Sequence, residues 1–138
     1  MEVTVGERIV GGMRYLRNHL QALKTERHYG ATQGLSLLVI GPPGCGKLMT
    51  SQAFFPEAHT IHLGRSDLLD FQKVYGRPVV ILDEIDCINS NTAEAHRLAV
   101  EVVRYLENPN AIVIALASSE TILMAIQTRM TPPIFMGE

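Results

Sequence analysis

Leu35-Ser36-Leu37-Leu38-Val39-Ile40 runs directly into Gly41-Pro42-Pro43-Gly44-Cys45-Gly46-Lys47. The apolar run reads as a buried strand, and the segment from Lys47 to Phe55 can continue as a helix. A strand that turns through a glycine-rich loop into a helix aims successive backbone N–H groups at one point, which makes a cradle for phosphate. Gly41, Gly44 and Gly46 permit backbone angles and close approach that a Cβ would forbid. Pro42, Pro43 and Cys45 fill the loop between them, and Lys47 supplies a point charge for β- and γ-phosphates. The motif calls for a hydroxyl residue next, and position 48 is Leu48. Because that hydroxyl normally ligates Mg²⁺, the loop announces triphosphate binding more firmly than hydrolysis. Taken alone, the same stretch also reads as a tight turn between a strand and a helix.

A second stretch removes much of that ambiguity. Val79-Val80-Ile81-Leu82 is closed by two carboxylates, Asp83 and Glu84. A continuous apolar run fits a strand of a parallel sheet covered on both faces, and ligands bind at the C-terminal ends of such strands. Asp83 then suits a metal-holding role, directly or through water, and Glu84 suits the polarisation of an attacking water. The plain alternative is a solvated strand end that continues into Asp86.

The rest of the chain alternates strands and helices. Ile9, Met13, Leu16, Leu20 and Leu23 share a helical face, which ends at the glycines from Gly30 to Gly34. Thr60 to Leu63 reads as a short strand, and Ser66 to Val74 as a helix. Asn91 is placed to cap a helix with Glu94 three positions on, whose apolar stripe is Ala95, Leu98, Ala99, Val102, Val103 and Leu106, with Asn108-Pro109 as its stop. Ala111 to Ala117 is a further buried strand, Thr121 to Thr128 a short helix, and Pro133 to Met136 a last strand. The pattern predicts an α/β three-layer sandwich around a mostly parallel five-stranded sheet.

Composition bounds the function. A chain of 138 residues with 46% hydrophobic and 19% charged residues forms one domain that buries its core without staples. Its longest apolar run is too short to span a bilayer. Met1 to Gly6 has neither a basic start nor an apolar core, so no secretory signal is expected. Cys45 and Cys87 lack metal-type spacing and suit a reducing, cytoplasmic setting. Net charge is −2, with basic residues concentrated in the N-terminal segment at Arg8, Arg14, Arg17, Lys24 and Arg27. That excess reads as a solvated helix face or as a phosphate-contacting surface. His59 and His62 read as strand-edge residues and not as metal ligands, and His19, His28 and His96 pair with no ligand at metal spacing.

These motifs, in this order, make the chain resemble the AAA+ family of P-loop ATPases. The resemblance covers most of the chain. Val5-Gly6-Glu7-Arg8 looks like the segment that lies against the adenine, and Gly41 to Leu48 is Walker A-like. Leu82-Asp83-Glu84-Ile85-Asp86 is Walker B-like. Ser118-Ser119 stands where the family places its sensor 1, there usually Asn or Thr. Ala125-Ile126-Gln127-Thr128-Arg129 resembles the segment that carries the arginine finger.

The resemblance implies the AAA+ base subdomain of the P-loop NTPase fold as a single nucleotide-binding domain over residues 1–138. Residues 1–34 would form the N-terminal helix and adenine-side segment and 35–138 the P-loop core, with no lid domain. It also implies ATP and Mg²⁺, with Lys47, Glu84, Arg129 and Ser118 or Ser119 in catalysis. Arg129 would act on a neighbouring subunit, so a homo- or hetero-oligomer with nucleotide at its interfaces is expected. Helicase loaders, clamp loaders and replication initiators look most similar. The expected role is assembly or remodelling of a macromolecular complex in DNA replication, with a helicase or replication factor as partner and indirect contact with nucleic acid. Leu48 makes the expected ATPase weak or partner-dependent. One alternative is a nucleotide-gated adaptor that binds ATP or ADP without appreciable hydrolysis. Another is a small-molecule phosphotransferase, which the Asp83–Glu84 pair and the scarcity of late arginines disfavour.

Overall fold

Along the core strands, side chains alternate between two separate apolar clusters, which defines the layers before any helix is considered. Leu38, Ile40, Val80, Leu82, Val113 and Ala115 enter one cluster. Leu37, Val39, Val79, Ile81, Ile112 and Ile114 enter the other. The computed structural model describes residues 2–4, 9–10, 12–28, 36–64, 77–89, 91–107, 112–119, 121–130 and 134–136.

The main sheet contains β2 (Ile9–Val10), β3 (Ser36–Ile40), β4 (His59–His62), β5 (Val79–Asp83), β6 (Ile112–Ala117) and β8 (Ile134–Phe135). Their order is β2-β8-β3-β6-β5-β4, and every pair is parallel. Five of these six are the strands predicted from the sequence, shifted by a residue or so at their ends. The two-residue β2 adds an edge. On one face lies α1 (Gly12–His28), which buries Leu16, Leu20 and Leu23 against the sheet, joined by Phe55 at the end of α2 (Lys47–Phe54). The other face is covered by α3 (Ala93–Leu106) through Leu98, Val102 and Tyr105, and by α4 (Met124–Gln127) through Ile126. This is the expected three-layer sandwich, with an all-parallel sheet.

Local expectations fail where a partner distant in sequence decides. Ile9 is not on the helix but in β2, where the β-branched pair Ile9-Val10 adds to Ile134 and Phe135 at the sheet edge. Thr121 to Leu123 forms strand β7 instead of the first turn of a helix, because it pairs antiparallel with β1 (Glu2–Thr4). The cap of α3 is Thr92, not Asn91: the Thr92 hydroxyl accepts from the Ala95 N–H at 3.1 Å. The helix expected over Ser66 to Val74, the glycines from Gly30 to Gly34 and the Asn108-Pro109 stop lie outside the described residues.

The strand order fixes where a ligand can enter. After β3 the chain crosses on the α1/α2 face to reach β4, whereas after β6 it passes to β7 and α4 and then to β8 on the far side of β3. Neighbouring strands whose connections leave in opposite directions open a crevice at their carboxyl ends. That crevice lies between the ends of β3 and β6.

Candidate functional site

The glycine loop occupies this crevice. Gly41 continues the β3–β6 ladder, its N–H bonding to the Ala117 carbonyl at 3.0 Å. A Cβ on Gly41 would sit 2.6 Å from the Cβ of Met136, so only glycine lets the loop pass there. Gly44 has φ +80° and nothing within 4 Å of where a Cβ would project, so its bare face turns to the open cleft. Gly46, at φ 92°, is the left-handed residue that starts α2, and no side chain caps that helix end. The first turn therefore presents backbone N–H groups and the positive end of the helix dipole with no capping side chain among the described residues. Lys47 is buried, and its Nζ donates to the Pro42 carbonyl at 3.2 Å, folding the ammonium back over the loop.

The cleft in front of this loop holds about 540 Å³. Pro43, Gly44, Gly46 and Lys47 form one wall, extended along α2 by Leu48, Met49 and Gln52. Asp83, the last residue of β5, and Glu84 after it form the opposite wall, and Leu116 and Ala117 of β6, with Ser118 just beyond the strand, form the floor. Lys47, Leu48, Asp83, Glu84 and Ser118, far apart in sequence, are thus brought together.

Each acidic residue has a distinct environment. Asp83 Oδ2 lies 3.1 Å from His62 Nδ1 on the adjacent strand, where the parallel register sets the two residues side by side. Glu84 has φ 60°, which no other described non-glycine residue shares in sign. A side chain in that region is strained, and such strain clusters at functional sites. The Glu84 carboxylate lies against Gly64 and accepts a weak bond from the Cys87 thiol at 3.9 Å. Burial pushes the Cys87 thiol pKa above its ordinary value, and the charges of Glu84 and Asp86 add to the shift. Asp86 turns the other way: its Oδ2 accepts from the backbone N–H of Ser119 at 3.1 Å and of Ser118 at 3.3 Å. That clamp ties the end of β6 to the turn Ile85–Asn89 that follows the two carboxylates.

Other predicted site residues fall elsewhere. Ser119 stands beside Ser118 but does not line the cleft. Gly41, Pro42 and Cys45 support the loop from behind. Arg129 is away from the cleft of its own chain: Nη1 donates to the Ala125 carbonyl at 2.8 Å, and Nη2 and Nε donate to Glu107 Oε1 at 3.1 and 3.3 Å. Val5 and Gly6 lie outside the described residues. Sequence reading missed His62, Asp86 as a clamp, and Gln52 and Met49 in the cleft wall. Only the strand register and the helix face reveal them.

The donor set bears on Mg²⁺. Leu48 offers no ligand, and no three His, Cys, Asp or Glu residues among those described could together hold a metal. Of the two carboxylates across the cleft from the loop, Glu84 accepts from Cys87 and lies against Gly64, which leaves Asp83 as the candidate metal ligand. That suits an ion which keeps its waters and shares a nucleotide's phosphates, the common way for Mg²⁺ to bind, and does not suit a resident metal.

No family model matches this chain, and no curated protein matches it. Among solved structures, it is similar to PCH-2 of C. elegans, an AAA+ ATPase. The TM-score is 0.53 and the identity 15%, with 91% of this chain and 42% of that one covered. The chain therefore spans less than half the length of this neighbour. At that identity the likeness is one of fold, and it supports the AAA+ fold expected from the motifs.

Proposed function

We propose that this chain is an ATP-binding AAA+-type module and a weak or partner-dependent ATPase that acts in assembly or remodelling of a macromolecular complex. The observation that carries the proposal is the uncapped start of α2 and its buried Lys47, facing Asp83 and Glu84 across one cleft at the sheet's switch point. The loop N–H groups and the Lys47 ammonium bind and orient the β- and γ-phosphates. Asp83 would hold Mg²⁺, which when bound neutralises phosphate charge. Glu84 takes a proton from water as the water oxygen bonds to the γ-phosphorus and the bond to the β–γ bridging oxygen breaks, giving ADP and phosphate. Ser118 at the floor offers a hydroxyl to the same phosphate. The resemblance extends the proposal to an oligomer with nucleotide at its interfaces, partnered by a helicase or replication factor. The test is a thermal-shift titration with and without Lys47. ATP at a hundredfold over its Kd should stabilise the parent by about 2.7 kcal/mol, and Lys47→Ala should lose nearly all of that. Equal shifts in the two proteins would defeat the assignment.

A second reading is favoured by one residue. With Leu48 in place of a hydroxyl, the chain can serve as an adaptor that binds nucleotide, changes its contacts and hydrolyses little. Phosphate release measured beside a binding titration separates the two: binding without release supports the adaptor.

A further inference from the structure

The pairing of His62 with Asp83 plays no part in the reaction set out above. We infer that His62 is a positioning residue that holds the Asp83 carboxylate in the orientation needed by a nucleotide-bound metal, an inference that rests on the nucleotide reading.

Alternation along the strands puts both side chains on the cleft side of the sheet. Ile61 and its register partner Leu82 enter the cluster under α3. Their successors His62 and Asp83 therefore point to the opposite face, that of α1 and α2. Thr60, two residues before His62, bears this out: its hydroxyl accepts from Gln52 Nε2 at 3.2 Å, and Gln52 stands in the wall of the cleft. A carboxylate only accepts hydrogen bonds, so the 3.1 Å contact places the proton on His62 Nδ1 and engages Asp83 Oδ2. No other described residue bonds to that carboxylate by hydrogen bond or ion pair. Oδ1 is left for a cation.

Two features give this contact weight. Because Leu48 removes the usual hydroxyl ligand, Asp83 is, among the described residues, the carboxylate across from the loop that is left to hold a metal, as Glu84 leans on Gly64 and Cys87. Mg²⁺ demands near-ideal octahedral geometry, so the torsion of a single carboxylate decides how well it is held. In addition, His62 lies on the edge strand β4 and is 35% exposed, so water reaches the pair from that side, while Asp83 on β5 is 15% exposed. Screened by that water, the pair adds only a limited amount to folding. Its use is orientation, as with the outer hydrogen-bond partners of other metal ligands.

The experiment measures binding of a non-hydrolysable ATP analogue by calorimetry, in EDTA and in saturating Mg²⁺, for the parent, His62→Ala and His62→Asn. Mn²⁺ paramagnetic resonance of each analogue complex gives a direct readout of the metal. In EDTA the three proteins should bind alike. The gain in affinity on adding Mg²⁺ should fall about tenfold to a hundredfold in His62→Ala. It should return in His62→Asn, whose amide N–H replaces Nδ1–H, and the Mn²⁺ spectrum should follow the same order. A metal gain that survives in His62→Ala overturns the inference. So does a loss that extends to EDTA, or one that His62→Asn fails to restore. A parent that binds the analogue in neither condition defeats the nucleotide reading itself, and this inference with it.

Discussion

Leu48 stands with one side toward the cleft and the other packed against the cluster under α1. Leu48→Thr therefore acts on two quantities at once. It adds an oxygen donor on the first turn of α2, and the Mg²⁺ dependence of ATP binding and the rate of turnover should both increase. It also removes part of a half-buried leucine, and since full burial is worth about 1.5–3 kcal/mol, stability should fall by about 1 kcal/mol. Melting temperature and phosphate release on the same preparation read both effects. An unstable protein with no metal gain would show that the missing hydroxyl is not the defect. Glu84 carries the second prediction at this scale. Glu84→Gln should slow any turnover by about 10² to 10⁴ while ATP stays bound. The same change should speed alkylation of Cys87, because it removes a neighbouring negative charge that helps to hold the thiol protonated. The sign also fixes the pH behaviour. The folded chain binds this proton more tightly than the unfolded one, so the thiol's contribution to stability is present below pH 9.0 and is lost as pH rises through the elevated value. Alkylation rates followed from neutral pH upward should show the parent lagging behind Glu84→Gln. Lys47, Asp83 and Glu84 were legible as a group because glycine spacing and a strand-end acid pair are written in local sequence. From sequence His62 reads only as a strand-edge residue because its partner sits on another strand, and no local spacing records which residues two parallel strands set side by side.

At the scale of elements, the sequence carried what the chain determines locally and lost what the other end determines. Five strands and the two long helices α1 and α3 follow from apolar runs and from a 3.6-residue stripe, both local patterns. β7 does not. Thr121-Ile122-Leu123 has enough β-branched character to be a strand, but only pairing with Glu2-Val3-Thr4 makes it one. The α3 cap shows the same limit on a smaller scale, since Asn91 and Thr92 are both capping types and the choice depends on backbone angle. Thr92 is extended, with φ −119° and ψ 157°, and its hydroxyl reaches the Ala95 N–H. Thr92→Ala should therefore lower stability by about 1 kcal/mol, whereas Asn91→Ala should leave it within error. Chemical denaturation of the two variants checks this, and a larger cost for Asn91→Ala would transfer the cap to that residue. The Asp86 clamp belongs to this scale as well. It joins the turn after β5 to the end of β6 and so sets Ser118 at the floor of the cleft, with Ser119 turned aside. Two adjacent serines could not be ranked from sequence alone.

For the molecule as a whole, the question is what Arg129 does so far from its own chain's cleft. Two contacts hold it. The bond to the Ala125 carbonyl is what a cation at a helix C-terminus makes in any case. The bonds to Glu107 join the end of α3 to the segment after α4. Arg129 is 36% exposed and Glu107 59%, so water screens the pair and its worth is about 1 kcal/mol or less. A restraint that weak is broken readily by a phosphate charge from a neighbouring subunit. If Arg129 acts there, Glu107 competes with the nucleotide for the guanidinium. Glu107→Gln should then raise turnover at a fixed protein concentration by up to about fivefold, the factor that 1 kcal/mol supplies. Arg129→Ala should lower it by about 10³. Mixing Arg129→Ala with Glu84→Gln should restore activity, since the second protein supplies the arginine that completes the intact cleft of the first. Light scattering with and without the ATP analogue tells whether the change in rate follows assembly. The opposite pattern has a clear meaning. If Glu107→Gln lowers the melting temperature, leaves the rate untouched and mixing gives no rescue, then Arg129 serves to pin α4 to α3, and the cleft works without a residue from a neighbour.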